Sequence, residues 1–218
     1  MKLRFLGHAS FLLTTNAGTR ILADPYDPDH YPGALLHKAY DGPADIVTVS
    51  HDHADHGYLD AVQGSPVIIR GAGRFRANEV EIMGVATHHD EDAGSKRGTN
   101  TIFVMTVDGL RIAHLGDLGH VLTADQAAEI GRVDVALVPV GGTFTVDASQ
   151  ADEVVNQIEP RIVIPMHYRS DKCLFEISGV DEFLTGKPYV VRHTEPDLEL
   201  PADDLPEDRR IVVLSATL

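Results

Sequence analysis

The sequence DIVTVSHDHADHG at residues 45–57 joins an apolar run to a dense cluster of metal-type side chains. Its first part predicts a buried strand, because short runs rich in valine and isoleucine are typical of strands inside a sheet. That strand would carry three histidines and an aspartate to its end, on the spacing H-x-H-x-D-H. Neutral imidazole and carboxylate are ligands that zinc and its first-row neighbours accept. The stretch therefore predicts a metal site at a strand end.

The spacing also indicates that this cluster can serve two adjacent ions. In an extended chain alternate side chains share a side, so His51, His53 and Asp55 can converge. His56 then turns toward a neighbouring point. A polar loop with chance histidines is the alternative, since the chain has 12 histidines in 218 residues. The buried strand ahead of the cluster favours the metal site.

Apolar segments and turn signals in the rest of the chain predict a layered fold with mixed sheets. Strands are predicted at residues 3–6, 10–14, 19–23, 45–50, 65–70, 80–85, 101–107, 110–115, 133–138, 161–165, 189–192 and 211–215. Helices are predicted at residues 58–62, 123–130, 147–158 and 180–184. Residues 24–44 are dense in turn-forming dipeptides and predict a long surface excursion. No repeat or long linker divides the chain, so residues 1–218 are expected to form a single domain.

Composition limits the classes of partner. The chain has 18 basic and 33 acidic residues, a net charge of −15, which opposes nucleic-acid binding because that affinity depends on Lys and Arg neutralising phosphates. No apolar stretch approaches the length of a membrane span, and Gly7, His8 and Ser10 interrupt the N-terminal apolar run in a way that argues against a signal peptide. Cys173 is the single cysteine, so no internal disulfide can form. These features predict a cytoplasmic protein that acts on a small-molecule substrate.

Further candidate ligands occur where other predicted strands end. The segments are VATHHD at residues 85–90, IAHLGD at residues 112–117 and VIPMH at residues 163–167. Strand ends at one edge of a sheet bring together residues that are distant in sequence. We therefore expect one site that combines these ends with the cluster at residues 51–56.

In their order along the chain, these motifs resemble those of the metallo-β-lactamase fold superfamily. The matching positions are Asp24, residues 51–56, His89, Asp117 and His167. The segments GHAS at residues 7–10, RGTNTI at residues 97–102 and HLGDLG at residues 114–119 resemble more closely the UPF0173 or ascorbate-phosphate-lactonase-like hydrolases. The resemblance implies an α/β fold of the α+β kind, a four-layer αββα sandwich of two mixed sheets flanked by helices. It also implies two divalent ions in the cleft between the sheets.

The resemblance carries a ligand set with it. The implied ligands are His51, His53 and His89 for one ion, Asp55, His56 and His167 for the other, and Asp117 as a bridge. His88 is the alternative to His89, which is favoured because members of the family place this ligand directly before an aspartate or an aromatic residue.

Other polar residues are expected to act around the ligands. Asp24 and His114 are predicted to orient ligands, because the far N–H of a ligating imidazole needs a partner. Asp55 and His8 are the predicted catalytic residues. Asp52 and Asp90 are expected to be solvated.

This ligand set predicts hydrolysis. Two divalent ions that share a water lower its pKa from about 15.7 toward neutrality, and the resulting hydroxide can attack a carbonyl carbon or a phosphorus. Asp55 is placed to orient the hydroxide and to accept its proton. The lack of a G-x-S-x-G motif argues against a serine hydrolase, and the diiron redox branch of the superfamily usually has an acidic residue where this chain has His53. The predicted substrate is a small ester, lactone or phosphodiester.

Several alternatives stay open. A phosphodiesterase of the phospholipase-D-like branch and a non-catalytic metal-binding protein fit the same ligands. Zinc is the first choice of metal and manganese the alternative, because a nitrogen and oxygen site accepts both. A phosphorylated sugar lactone would need a basic pocket, for which Arg97, Arg169 and Lys172 are the candidates. Relatives of this size often self-associate, so a homo-oligomer is expected.

Overall fold

The computed structural model of the protein describes residues 1–217. In chain order its strands are β1 (Lys2–Gly7), β2 (Ser10–Thr14), β3 (Arg20–Ala23), β4 (Ile46–Val49), β5 (Val67–Arg70), β6 (Gly73–Ala77), β7 (Val80–His88), β8 (Thr99–Val107), β9 (Leu110–His114), β10 (Val135–Pro139), β11 (Ile162–Met166), β12 (Val190–Arg192), β13 (Asp197–Glu199) and β14 (Arg210–Val213). Its helices are α1 (Ala124–Ile130), α2 (Ala148–Ile158) and α3 (Val180–Leu184), and Pro28–His30 form a 3-10 turn.

The strands form two mixed sheets. The small sheet has 6 strands in the order β13-β1-β2-β3-β4-β5, and the large sheet has 8 strands in the order β12-β14-β11-β10-β9-β8-β7-β6. In the small sheet β1, β2 and β3 are antiparallel, and β4 and β5 continue parallel to β3. In the large sheet β6 to β9 are antiparallel, and β10, β11 and β14 continue parallel to β9. The predicted α+β fold with two mixed sheets is confirmed.

Alternate side chains of each sheet build the core between them. On β2, Phe11 and Leu13 enter this core, whereas Leu12 packs on the outer face of the small sheet. From the large sheet, Phe103 and Met105 of β8 enter the same core. The pattern follows from the two-residue period of a strand, which sends successive side chains to opposite faces.

Helices cover the outer face of the large sheet. The buried side of α2, which includes Val154 and Ile158, joins an apolar cluster with strand residues such as Ile102. Both longer helices begin where the sequence predicts. Thr123 and Asp147 each form a capping box with the glutamine at the third helical position, which satisfies backbone N–H groups that have no partner inside the helix.

The outer face of the small sheet has a non-helical cover. Leu59 and Val62 pack there with Tyr40 against buried residues of the sheet. The predicted helix at residues 58–62 is wrong, because this segment forms turns in which the Val62 amide donates to the Leu59 carbonyl at 3.0 Å. So short a segment gains too few helical hydrogen bonds to offset the cost of starting a helix.

Two strands at the sheet edges were not predicted. β6 has the sequence GRFRA and lies at one edge of the large sheet. β13 has the sequence DLE and lies at one edge of the small sheet. Edge strands often carry charged residues on both faces, which hides their apolar pattern. A hairpin joins β8 and β9 at Asp108 and Gly109, with φ of 50° and 85°, as a two-residue turn between twisted strands requires. In the described chain, no helix is long and apolar enough to cross a membrane.

The fold brings several strand ends to one edge. The C-terminal ends of β9 and β11 are followed by Asp117 and His167, and the end of β4 is followed by the cluster at residues 51–56. Backbone hydrogen bonds join the two sheets here, from the His167 amide to the His8 carbonyl at 2.8 Å and from the Thr101 amide to the Ser50 carbonyl at 2.9 Å. Residues from both sheets therefore meet in one cleft.

Candidate metal centre

Two groups of metal-type side chains lie next to each other in this cleft, and within each group one nitrogen or oxygen of every member lies within 4.8 Å of the others. The outer group is His51, His53 and His89. The inner group is His8, Asp55, His56 and His167. All members of the inner group are buried, whereas His53 of the outer group is exposed. The outer group therefore faces the cleft opening.

Asp117 lies between the two groups. Its Oδ2 is 3.2 Å from Nε2 of His89 in the outer group and 3.4 Å from Nε2 of His167 in the inner group. Its Oδ1 is 3.2 Å from Nε2 of His56. The carboxylate is within reach of an ion held by either group, so it occupies the position of a bridge.

Asn100 holds the loop that carries Asp117, a role that the sequence analysis missed. The Asp117 amide donates to Asn100 Oδ1 at 2.9 Å, and Asn100 Nδ2 donates to Thr87 Oγ1 at 2.8 Å and to the Leu115 carbonyl at 3.0 Å. Gly116 lies beside it with φ of 55°, and a Cβ there would be 2.3 Å from Asn100 Oδ1. The only sequence signal for this role is the asparagine of the RGTNTI segment.

Asp24 orients His56, as predicted for this carboxylate. Asp24 is fully buried, and its Oδ2 accepts from His56 Nδ1 at 2.8 Å and from Ser50 Oγ at 2.5 Å. Its Oδ1 accepts from the Ser50 amide at 2.8 Å. Burial opposes ionisation, but His114 and His56 hold the pKa of Asp24 below its usual range. The carboxylate thus fixes the His56 tautomer with Nε2 free to bind a cation.

Two outer-group histidines are oriented in the same way. Nδ1 of His89 donates to the Phe144 carbonyl at 3.0 Å. Nδ1 of His51 is 2.9 Å from Ser50 Oγ, whose own proton goes to Asp24. Both Nε2 atoms are therefore the basic nitrogens of their rings.

Three residues of the site have strained backbone. His8, Asp24 and His167 have φ of 55°, 46° and 51°, in the left-handed region that residues other than glycine seldom adopt. Each follows directly on a strand that ends at the cleft. Such strain persists where the surrounding structure enforces it and is concentrated at functional sites.

Three buried atoms of the cluster, His56 Nε2, Asp117 Oδ1 and His167 Nδ1, have no hydrogen-bond partner among the described residues, and the first two face each other. His56 Nε2 and Asp117 Oδ1 lie 3.2 Å apart without hydrogen-bond geometry. Buried polar atoms in native proteins nearly always have a partner. A cation at this point would satisfy both atoms, so the residues present fit a divalent metal ion.

The charge state of the cluster suits a metal. Burial lowers the pKa of His51 to about 3 and that of His8 to about 4, so both imidazoles are neutral at pH 7 and offer a lone pair. Burial opposes ionisation of Asp117, but His167 and His56 hold its pKa well below the usual range. The site therefore presents ionised oxygens and the neutral rings of His51 and His8. Burial opposes protonation of His56, but Asp117 and Asp55 raise its pKa well above the usual range, so a metal ion would take the place of a proton on that ring.

Asp55 is held at both oxygens. His8 Nε2 is 3.2 Å from Oδ2, and the Tyr31 hydroxyl donates to Oδ1 at 3.3 Å. On its other side, His8 Nδ1 is 3.6 Å from Cys173 Sγ. Burial raises the pKa of this thiol to about 11, so the thiol is the donor. Cys173 is buried and free.

A cavity of about 260 Å³ opens onto the cluster. On one side it is lined by His53, Asp55, His89, Asp117 and His167. The remaining lining residues are Tyr31, Arg97, Phe144 and Phe175. A compound of a few tens of atoms at most can enter, in contact with both groups.

Several predicted residues lie elsewhere. His114 Nε2 donates to the Ala9 carbonyl at 2.7 Å, and its Nδ1 accepts from the Gly116 amide at 3.2 Å and lies 3.9 Å from Asp24 Oδ2. It therefore supports the turn between β1 and β2 and the loop that carries Asp117, and within residues 1–217 it makes no hydrogen bond to a candidate ligand side chain. His88 is outside both groups and its ring lies 5.7 Å from that of His120. Arg169 and Lys172 line a different cavity, of about 420 Å³.

The two flanking aspartates behave differently. Asp52 is exposed and pairs with Arg70, in line with its predicted solvation. Asp90 is only 4% exposed and accepts from four backbone amides of the following loop, at 2.8 to 2.9 Å. Burial opposes its ionisation, yet these amides lower the pKa of Asp90 to about 2. The predicted solvation of Asp90 is wrong, because a tight loop closes over it.

Comparisons with known proteins agree with this site. The family model of the beta-lactamase superfamily domain matches residues 2–167. A UPF0173 metal-dependent hydrolase of Pyrococcus furiosus is 31% identical over 195 residues, which cover 78% of this chain and 85% of that protein. One from Carboxydothermus hydrogenoformans is 31% identical over 196 residues, with the same coverage of 78% and 85%.

A solved structure shares the whole architecture. A candidate Zn-dependent hydrolase of the metallo-β-lactamase superfamily from Thermotoga maritima superposes with a TM-score of 0.82 and 36% sequence identity, over 99% of each chain. The fold, the cleft and the sequence relatives lead to one assignment: this chain belongs to the UPF0173 metal-dependent hydrolases of the metallo-β-lactamase superfamily.

Proposed function

We propose that the protein hydrolyses a small ester, lactone or phosphodiester with the help of two divalent ions. The outer group would hold one ion, the inner group the other, and Asp117 would contact both. The single observation that carries the proposal is the position of Asp117 between the groups, together with two buried atoms, His56 Nε2 and Asp117 Oδ1, that have no hydrogen-bond partner among the described residues.

When bound, two divalent ions supply a water molecule acidified toward neutral pH and a positive centre for the oxygen on which charge develops. Side chains of the protein then accept the proton that leaves the nucleophile and hold the acceptor in position. Asp55 lines the cavity and is kept ionised, because His56 and His8 lower its pKa against the effect of burial. It is the acceptor for the proton that leaves the nucleophile. His8 and Tyr31 hold its two oxygens and so fix its orientation.

The aromatic walls of the cavity contribute by excluding bulk water. Tyr31, Phe144 and Phe175 surround the opening. Burial raises the pKa of Tyr31 to about 12, so its hydroxyl stays protonated and can donate to Asp55 or to a substrate oxygen. An environment poor in water strengthens electrostatic stabilisation at the reacting bond.

Zinc is the proposed metal. The donor set is nitrogen and oxygen, which suits zinc and also manganese, and the Thermotoga maritima relative is described as Zn-dependent. The small size of the cavity and the net charge of −15 support a small-molecule substrate over nucleic acid.

Metal content and turnover test the proposal together. Protein purified without added metal should contain close to two equivalents of zinc or manganese by elemental analysis. It should hydrolyse at least one member of a panel of aryl esters, lactones and bis(p-nitrophenyl) phosphate. Content near one equivalent would contradict the two-ion site, and a fully loaded protein that turns over none of the panel would contradict the proposed substrates.

The Asp55→Asn variant tests the proposed proton acceptor, with metal content measured alongside activity because Asp55 also belongs to the inner group. It keeps the size of the side chain but removes its capacity to take a proton at neutral pH. We expect kcat to fall by about 100-fold or more, within the range of general acid–base catalysis. The matched control is Asp52→Asn, which lies in the same loop, is exposed and pairs with Arg70. It should retain full activity.

A further inference from the structure

One positively charged side chain lines the cavity at the metal centre, and the hydrolysis proposed above does not require it. Arg97 lines the cavity beside Asp55 and Asp117, and among the described residues that line it there is no Lys and no second Arg. The chain as a whole carries 33 acidic and 18 basic residues. A lone guanidinium in the cavity of so acidic a protein calls for an explanation.

This guanidinium has no carboxylate partner within 4.0 Å in the described chain. Its sequence neighbour Lys96 pairs with Asp92, and Arg70, which lines a second cavity together with Arg97, pairs with Asp52. The guanidinium of Arg97 instead lies 5.4 Å from the ring centre of Phe144. Stacking on an aromatic face holds the group in place while its N–H donors stay available.

The loop beneath Arg97 is built to be rigid. The Arg97 amide donates to Asp90 Oδ2 at 2.8 Å, one of four backbone amides that converge on that carboxylate. Phe144 is held from the other direction, because its carbonyl accepts from His89 Nδ1 at 3.0 Å. Hydrogen bonds therefore fix the backbone of Arg97 on one side, and on the other side they tie Phe144, on which the guanidinium stacks, to His89 of the metal centre.

Flat apolar surfaces form the rest of the cavity wall. The rings of Tyr31 and Phe175 lie edge to face, with centres 5.3 Å apart, and the Phe144 side chain is partly exposed at the opening. Aromatic walls with one fixed charge favour a ligand that has a flat apolar part and one anionic group.

We propose that the substrate is an organic anion with an aromatic or similarly flat apolar group, and that Arg97 binds its carboxylate or phosphate while the metal centre contacts the scissile bond. This inference rests on the proposed hydrolase function and adds the substrate class to it. Of the three basic residues that the sequence offered for an anion, the structure favours Arg97, since Arg169 and Lys172 line the other cavity.

Three esters that differ only in one substituent provide the test. They are 4-acetoxybenzamide, which is neutral, 4-acetoxybenzoate, which carries a carboxylate, and 4-acetoxyphenyl phosphate, which carries a phosphate. The wild-type protein should show kcat/KM at least about tenfold higher for one or both anionic esters than for the amide, as expected for hydrogen bonds to a charged group. The better of the two anions identifies the source of the charge.

Arg97→Met should abolish this preference, because kcat/KM should fall at least about tenfold more for the anionic esters than for the neutral amide. The matched control is Lys96→Met, which removes the same charge from the neighbouring position, where the side chain pairs with Asp92 outside the cavity lining. It should keep the preference. An equal loss on all three esters in Arg97→Met, or an unchanged preference, would refute the inference.

Binding provides a second measurement that does not depend on turnover. Calorimetric titration with 4-acetamidobenzoate and its neutral amide should give the same anion preference in wild type and Lys96→Met, and none in Arg97→Met. If the anion binds through Arg97 but no ester is cleaved, the proposed hydrolysis of these esters fails and the anion site stands. If esters are cleaved without any effect of Arg97, the hydrolase stands and the anion site fails.

Discussion

The inner and outer groups differ in how firmly the protein holds them. The inner group is buried and includes two residues with strained backbone, His8 and His167, and Asp24 fixes His56 from behind. In the outer group, His53 is exposed, and its Nδ1 has only His51 Nε2 as a close partner, at 3.0 Å. One half of the centre is therefore preorganised by the fold, and the other half lies at the opening where substrate and solvent arrive.

This difference predicts unequal roles for two ions. The inner site offers the buried donors Asp55, His56 and His167, and His8 holds Asp55 in place, so this site should retain its ion more strongly. The outer site offers three donors at the cavity mouth, so its ion should exchange more readily and meet the substrate first. Local stability in proteins commonly decreases from buried, well-connected regions to exposed ones.

The largest effect should come from Asp117, because it belongs to both halves. In Asp117→Asn the side chain keeps its size but loses the charge that both ions would share. Loss of a residue that only hydrogen-bonds to a metal ligand typically changes metal affinity or activity by about 10–100-fold. Because Asp117 would contact the ions directly, we expect kcat/KM to fall by more than about 100-fold and metal content to fall to one equivalent or less. Elemental analysis and steady-state kinetics check this.

The fold should survive that change, because the loop is held through the backbone amide of Asp117 and Asn100, not through the carboxylate. An unchanged circular dichroism spectrum would establish this point. Two retained equivalents with near-normal activity would show that Asp117 does not join the two halves.

The next largest effect distinguishes the outer group from the inner group, and substitution of two adjacent histidines tests it. His89→Ala removes a member of the outer group, whereas His88→Ala changes a residue that lies outside both groups. We expect one equivalent of metal in His89→Ala and two in His88→Ala. Elemental analysis of both variants would decide between them, and the reverse result would make His88 the ligand.

The wild-type protein and the His89→Ala variant also allow the exchange rates of the two ions to be compared. On mixing with excess chelator, the wild-type protein should release metal in a fast and a slow phase of equal amplitude. His89→Ala should show only the slow phase, because its remaining ion is in the inner site. A fast phase in that variant would mean that the inner site is the weaker one.

A smaller effect is expected from Asp24, which touches no proposed ion. Asp24→Asn can still accept one hydrogen bond but no longer carries the charge that supports His56. We expect the inner ion to bind about tenfold more weakly, at the low end of the range for partners of ligands. Competition with a chelator of known affinity measures this, and an effect confined to the outer ion would contradict the assignment.

Much of this site could be predicted from the sequence, because its ligands occupy strand ends. An apolar run that ends in a polar cluster marks both the strand and the edge where ligands meet, and it identified residues 51–56, Asp117 and His167. The sequence also favoured His89 over His88 as a ligand, and the structure places His89 in the outer group and His88 outside both groups. It did not reveal Asn100 or Tyr31, because one asparagine at the start of a strand or one tyrosine in a loop acquires its role only through contacts with distant residues.

The errors have a similar physical origin. Asp90 was expected in solvent, but backbone amides of a tight loop converge on it and bury it. His114 was expected to orient a ligand, but its ring accepts from the Gly116 amide in the loop that carries Asp117 and donates to the Ala9 carbonyl. Local composition reports polarity, whereas burial and hydrogen-bond partners depend on how distant segments pack.

The smallest effect concerns two hydroxyl groups near the end of β4. Ser50 Oγ connects Asp24 to His51 Nδ1, so Ser50→Ala leaves that imidazole N–H without its acceptor. The affinity for the outer ion should fall by about fivefold, which corresponds to one hydrogen bond of about 1 kcal/mol.

Thr48 Oγ1 is buried and, among the described residues, has no hydrogen-bond partner. Thr48→Val keeps the shape and removes this unsatisfied group, so it should leave both ions unaffected and raise the free energy of unfolding by about 1 kcal/mol. Metal competition and denaturant unfolding on the two variants distinguish a hydroxyl that orients a ligand from one that only fills space. Equal metal affinities in Ser50→Ala and Thr48→Val would remove Ser50 from the chain of contacts that links the two halves.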